Sequence, residues 1–226
     1  MSATLTLTRE VFDRGPRPVT RGWIHLGAAV ASVVSGTVLA TYAAMTLPWW
    51  QVLGVGVYAV GVVLLFGVSA AYHLGRWRSA RTVAWWRRAD HATIAFFIAA
   101  TYTPLCLIAL PPGPAAWMLG LAWAGGAAGI VLSLVWIEHP RWLDVVVYLG
   151  LGWLIVPLIP TLWVSADPVV VWLLGAGGLI YSLGALIYGF RWPGRQARVL
   201  GYHEFFHAAT VVAAAVHHVA VWMVVV

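Results

Sequence analysis

Seven apolar stretches take up almost the whole of this chain, and each is long enough to cross a lipid bilayer. They run at about 22–46, 52–75, 89–110, 114–136, 143–163, 168–190 and 200–224. A hydrocarbon core of about 30 Å needs about twenty residues at 1.5 Å of rise per residue. Backbone groups inside lipid have no water to bond, so each stretch must satisfy its amides internally as a helix. The breaks between them carry proline, glycine or charge: Leu47-Pro48, Pro111-Pro112-Gly113, His139-Pro140-Arg141, Asp167-Pro168 and Pro193-Gly194. Pro157 and Pro160 fall inside the fifth stretch and predict a kink or an early end there. The expected fold is therefore all-α, an integral membrane bundle of seven transmembrane helices. Residues 1–20 form a polar tail and 21–226 the membrane domain.

Composition excludes the main alternatives. Only 9% of the 226 residues are charged and 62% are hydrophobic, against about 25% charged in a soluble domain. A soluble globule could not cover its surface with so few charges. All 13 basic residues are arginine, so no lysine is available for a retinal Schiff base. Cys106 is the single cysteine, which excludes an internal disulfide and a cysteine-based metal cage. No apolar core follows the tail at signal-peptide distance, so no cleaved signal is expected.

The arginines also give an orientation. With seven spans, Arg9, Arg14, Arg17 and Arg21 of the tail share a side with Arg76, Arg78, Arg81, Arg87 and Arg88, with Arg141, and with Arg191, Arg195 and Arg198. The opposite loops carry only Asp167. The positive-inside rule places the N-terminus in the cytoplasm and the C-terminus outside. The net charge of +6 then records topology and contact with anionic headgroups rather than a nucleic-acid partner. The expected location is the cell inner (plasma) membrane, with membrane lipids as partners.

Ionisable groups inside membrane helices are costly and mark function. His73 lies three residues before Arg76, Asp90 two after Arg88, and His203 and His207 five and nine after Arg198. Three helices thus contribute polar groups to one layer near the cytoplasmic side. His203-Glu204-Phe205-Phe206-His207 spells H-E-x-x-H. On a helix its two histidines share a face with Cβ atoms about 6 Å apart, a spacing that suits two bonds to one metal. Imidazole ligands favour zinc, and a catalytic zinc site takes a third protein ligand and keeps one position open. His73 is the expected third ligand, and Asp90 the group that bonds the water at the metal or acts as base.

Plainer roles stand beside these. The histidine pair can bond across helices, and His73 can be interfacial. Asp90 can pair with Arg87 or Arg88 or cap the third helix. Glu204 can be a zincin-like base or a supporting polar residue. His217 and His218 lie too deep to join the same ion and are read as packing or hydrogen-bonding groups. His25 lies near the layer, and His91 points elsewhere on the helix than Asp90.

Three blocks resemble the hemolysin III family, the bacterial branch of the progestin and adipoQ receptor superfamily. They are Ser69-Ala70-Ala71-Tyr72-His73, then Asp90-His91-Ala92-Thr93-Ile94 with Ala100-Thr101-Tyr102-Thr103-Pro104, and His203-Glu204-Phe205-Phe206-His207 with His217 downstream. The resemblance covers residues 22–226. It implies a zinc ion on His73, His203 and His207, with Asp90 touching its water and Ser69 a nearby polar group in contact with substrate. Relatives that look like ceramidases carry Gln at the position of Glu204. The block before the first helix departs from the family pattern, keeping His25 without its acidic and amide residues.

The expected activity is zinc-dependent hydrolysis of a lipid amide or ester, with Asp90 taking the water's proton and later giving it to the leaving group. Three rivals are a non-enzymatic membrane-homeostasis sensor or cytolytic protein with structural zinc, an intramembrane metalloprotease using Glu204, and a bis-histidine haem protein. The haem reading is the weaker because His203 and His207 share one face.

Overall fold

The computed structural model describes residues 18–194 and 199–226. Most of the tail, with Arg9, Arg14 and Arg17, and the loop residues Arg195 and Arg198 lie outside the described residues. Seven helical segments are long and apolar enough to cross a membrane. They are α1 (Trp23–Thr46), α2 (Trp49–Leu74), α3 (Ala80–Pro104), α4 (Pro112–Val135), a broken fifth span, α7 (Pro168–Phe190) and α8 (Tyr202–Val225). The fifth span is α5 (Arg141–Gly152), a 3₁₀ segment (Trp153–Leu158) and α6 (Ile159–Ser165).

Each long helix packs on its neighbour in sequence from α1 to α4, α7 packs on α8, and α1 returns against α8 to close the ring. The third span is the axis. Its apolar window is 61% buried, whereas no other span exceeds 44%. Small residues bring the helices together: a Cβ on Gly61 would lie 2.9 Å from Ala100 Cβ, and one on Gly126 2.8 Å from Ala99 Cβ. Close backbone approach of this kind drives association where apolar side chains gain nothing by leaving lipid. Val30, Val34, Leu53, Val60, Leu179 and Leu183 remain exposed on the outer faces, as a lipid-facing surface requires. Exposed tryptophans gather near helix ends (Trp23, Trp49, Trp136, Trp163, Trp172), where an indole can lie at the headgroup level.

Two features differ from the sequence reading. Helix α3 begins at Ala80, nine residues before the predicted 89, so Arg81, Arg87 and Arg88 are helical. Three arginines suppress the apolar signal there, yet the Ser79 side chain caps the helix by accepting the Thr82 N–H at 3.1 Å. Asp90 therefore sits ten residues inside α3 and does not cap it. The fifth span breaks as Pro157 and Pro160 predict, and Tyr102 of α3 holds the break. Its hydroxyl donates towards the carbonyls of Leu151 and Gly152, both at 2.9 Å, and accepts the Ile155 N–H at 3.1 Å. The backbone groups freed by the break are thus bonded within the bundle.

Candidate metal centre

The described arginines belong to one end of this antiparallel bundle, and so do the candidate ligands. His73 is in the last turn of α2, and His203 and His207 are in the first two turns of α8. The chain before α1 is pressed onto this corner. Gly22 has φ +88, and a Cβ there would stand 2.8 Å from Leu74 Cγ and 2.9 Å from His73 Cβ. Only glycine fits both the backbone and the space.

This approach lays His25 flat on His207, with ring centroids 3.8 Å apart and planes within 4°. His25 is buried, and among the described residues neither of its nitrogens has a hydrogen-bond partner.

His73 Nε2 stands 3.3 Å from His203 Nε2. One ligand nitrogen from each of His73, His203 and His207 lies within 4.8 Å of the others. Two nitrogens on a tetrahedral zinc at about 2.0–2.1 Å stand about 3.3 Å apart. Donor type and spacing therefore fit a zinc-sized ion, and the three buried or half-buried histidines could hold one. His73 Nε2 also lies 3.8 Å from Asp90 Oδ2. Ser69, one turn before His73 on the same face of α2, is buried and lines the same chamber as Asp90. Four of the five predicted site residues, Ser69, Asp90, His203 and His207, line one polar chamber, and His73 joins them through its Nε2 contacts.

Glu204 is in the motif but not on the chamber wall. It is 1% exposed, and its carboxylate pairs with Arg21 and accepts the Gly201 N–H at 2.9 Å. Thr20 bonds the Val199 carbonyl beside it. The segment before α1 is thereby tied to the start of α8. Nothing in the sequence spacing announces a pair 183 residues apart.

The deeper histidines have the hydrogen-bonding roles expected of them. His217 Nε2 donates to the Leu174 carbonyl at 3.1 Å, and His218 lies between Tyr58 and Trp222, at 3.1 Å from each. Asp144 is the residue missed. It sits among Leu143, Val145 and Val146 in the fifth stretch, buried to 5% exposure, and an acid in a membrane helix is itself the signal. His91 differs from its sequence reading too, since it lines the same chamber as Asp90.

The chamber adjoins a larger, more apolar one. The two share Leu65, Ile94, Tyr148, Ala185, Phe206 and Thr210 as walls. A polar compartment thus continues into an apolar one between the helices.

Comparison with known proteins places this architecture. The family described as "Haemolysin-III related" matches residues 14–218. The Hemolysin-3 homolog of Bacillus subtilis is 28% identical over 139 residues, covering 62% of this chain and 64% of that protein. Hemolysin-3 of Bacillus cereus is 29% identical over 165 residues, covering 73% and 74%. The human monocyte to macrophage differentiation factor is 30% identical over 178 residues, covering 76% and 71%. With a match over nearly its whole length, this seven-span membrane protein belongs to the haemolysin-III-related family.

Proposed function

We propose that this protein is a zinc-dependent hydrolase of lipid amides or esters, working near the cytoplasmic face of the inner (plasma) membrane. The observation that carries the reading is the convergence of three imidazoles from two helices beside a polar chamber that opens into an apolar one. His73, His203 and His207 hold the ion, and His25 stacks on His207 to fix its ring. Zinc bound there supplies a Lewis acid for the substrate carbonyl and lowers the pKa of a water towards about 7. Asp90 orients the attacking water and accepts its proton at the carboxylate. Ser69 holds Asp90 and meets the polar head of the substrate. The apolar chamber takes the lipid chain and keeps water from the reacting bond.

Two features weigh against the rivals. A purely structural zinc takes four protein ligands, and among the described residues three histidines converge. A metalloprotease needs Glu204 as its base, and that carboxylate is committed to Arg21 and the Gly201 amide.

Metal analysis of the purified protein tests the reading, paired with release of fatty acid from a fluorescent N-acyl sphingosine in mixed micelles. Stoichiometric zinc is expected in the wild type, and loss of both zinc and activity in His73→Ala and His207→Ala. Metal-free wild type, or full activity in a zinc-free variant, would reject it.

A further inference from the structure

A second buried cluster shares the polar chamber. Asp144 of α5 lies between two imidazoles, His91 of α3 and His139 of the α4–α5 connection. His91 Nδ1 is 3.5 Å from Asp144 Oδ2, and His139 Nε2 is 3.4 Å from Asp144 Oδ1. His91 Nδ1, His139 Nε2 and Asp144 Oδ1 are sealed from solvent and make no hydrogen bond among the described residues, so the two approaches are those of ion pairs. His139 Nδ1 faces the Pro140 carbonyl at 3.3 Å. The other groups around Asp144 are Arg141, Tyr148 and Tyr188. The Arg141 guanidinium lies over the Tyr188 ring at 5.4 Å, and the Tyr148 hydroxyl donates to the His91 carbonyl at 3.1 Å.

This is not a second cation cage. The rings approach opposite oxygens of one carboxylate, so the carboxylate stands between them. The nitrogens and oxygens do not converge on a point as those of His73, His203 and His207 do. A lone buried carboxylate is costly, and its nearest compensation is a proton on a flanking imidazole. A carboxylate at ion-pair distance from Nδ1 favours the doubly protonated ring and orients it. The His91 Nε2 edge is then left for the chamber that the ring lines.

We propose that His91 is a second acid–base group of the site, oriented and held protonated by the Asp144 carboxylate. The inference rests on the hydrolase reading and divides the acid–base work there. As the water oxygen bonds the acyl carbon, Asp90 accepts the water's proton. As the carbon–nitrogen bond breaks, its electron pair takes a proton from His91 Nε2. His91 Nε2 regains one proton from water in the chamber, and Asp90 loses one there. The sum is amide plus water giving acid plus amine.

Two acyl probes separate this role from others. N-dodecanoyl 7-amino-4-methylcoumarin has an amine leaving group that must be protonated, and p-nitrophenyl dodecanoate has one that need not be. His91→Gln should lose about 100-fold or more on the amide, with little change on the ester and full zinc content. Asp90→Asn should lose both activities. Equal losses on both probes in His91→Gln, or loss of its zinc, would overturn the proposal. Nitrogen NMR of histidine-labelled protein decides the His91–Asp144 dyad without any substrate. His91 should carry protons on both ring nitrogens in the wild type and lose one in Asp144→Asn. A His91 signal untouched by Asp144→Asn would overturn the dyad even in active protein. Wild type inert to both probes but with the dyad intact would reject the hydrolase reading instead, and with it the catalytic role of His91.

Discussion

Breaking the Arg21–Glu204 pair should cost more than removing it altogether. In Arg21→Met the carboxylate of Glu204 stays behind at 1% exposure with, among the described residues, the Gly201 amide as its one remaining hydrogen bond. A broken buried pair typically costs about 3–5 kcal/mol. The Arg21 side chain is 19% exposed, so some water reaches the pair and the lower end, about 3 kcal/mol, is expected. Glu204→Gln keeps an acceptor for the Gly201 amide and leaves the cation with partial access to water, so about 1–2 kcal/mol is expected. The double variant leaves no unpaired charge and should be more stable than Arg21→Met alone. Unfolding by denaturant titration in detergent micelles, with zinc content measured in parallel, gives all four corners of the cycle. Additive costs, or an Arg21→Met variant within about 0.5 kcal/mol of the wild type, would refute the reasoning. Zinc retained in Glu204→Gln would also separate the motif's glutamate from the metal chemistry.

Two further outcomes follow from packing. In Gly177→Ala the new Cβ would stand 2.2 Å from His217 Cδ2, and overpacking of this kind costs about 1–3 kcal/mol. The same titration should show that loss, and His217→Ala in the same chain should relieve it. Tyr102→Phe removes the hydroxyl that serves Leu151, Gly152 and Ile155 at the break in the fifth span. A loss of about 1–3 kcal/mol is expected, with faster hydrogen exchange at the Ile155 amide; unchanged exchange there would show that other groups hold the break.

The spans were legible because lipid leaves a chain so few options. Their ends were less so. The first nine residues of α3 hide behind arginines, although Ser79 marks the start for a reader who looks for caps before hydropathy. The histidine layer was readable because i, i+4 spacing and depth below the arginines are both properties of position along a helix. The partner of Glu204 was not, since a pair joining Arg21 to α8 depends on ring closure, which no local pattern encodes. Asp144 met the same criterion as Asp90 and was passed over because its neighbours are apolar on both sides. Its histidines come from two other elements, so the cluster appears only in three dimensions.

The ring that brings α8 back to α1 and α2 also sets an order of assembly. A nascent chain threaded into the membrane through its sixth span owns only one of the three donors. The last helix contributes the other two, so an ion held by all three would be captured only after synthesis has passed residue 207. Under the proposed metal binding, loading would act as a receipt for finished insertion, and stalled or truncated chains would carry no such mark.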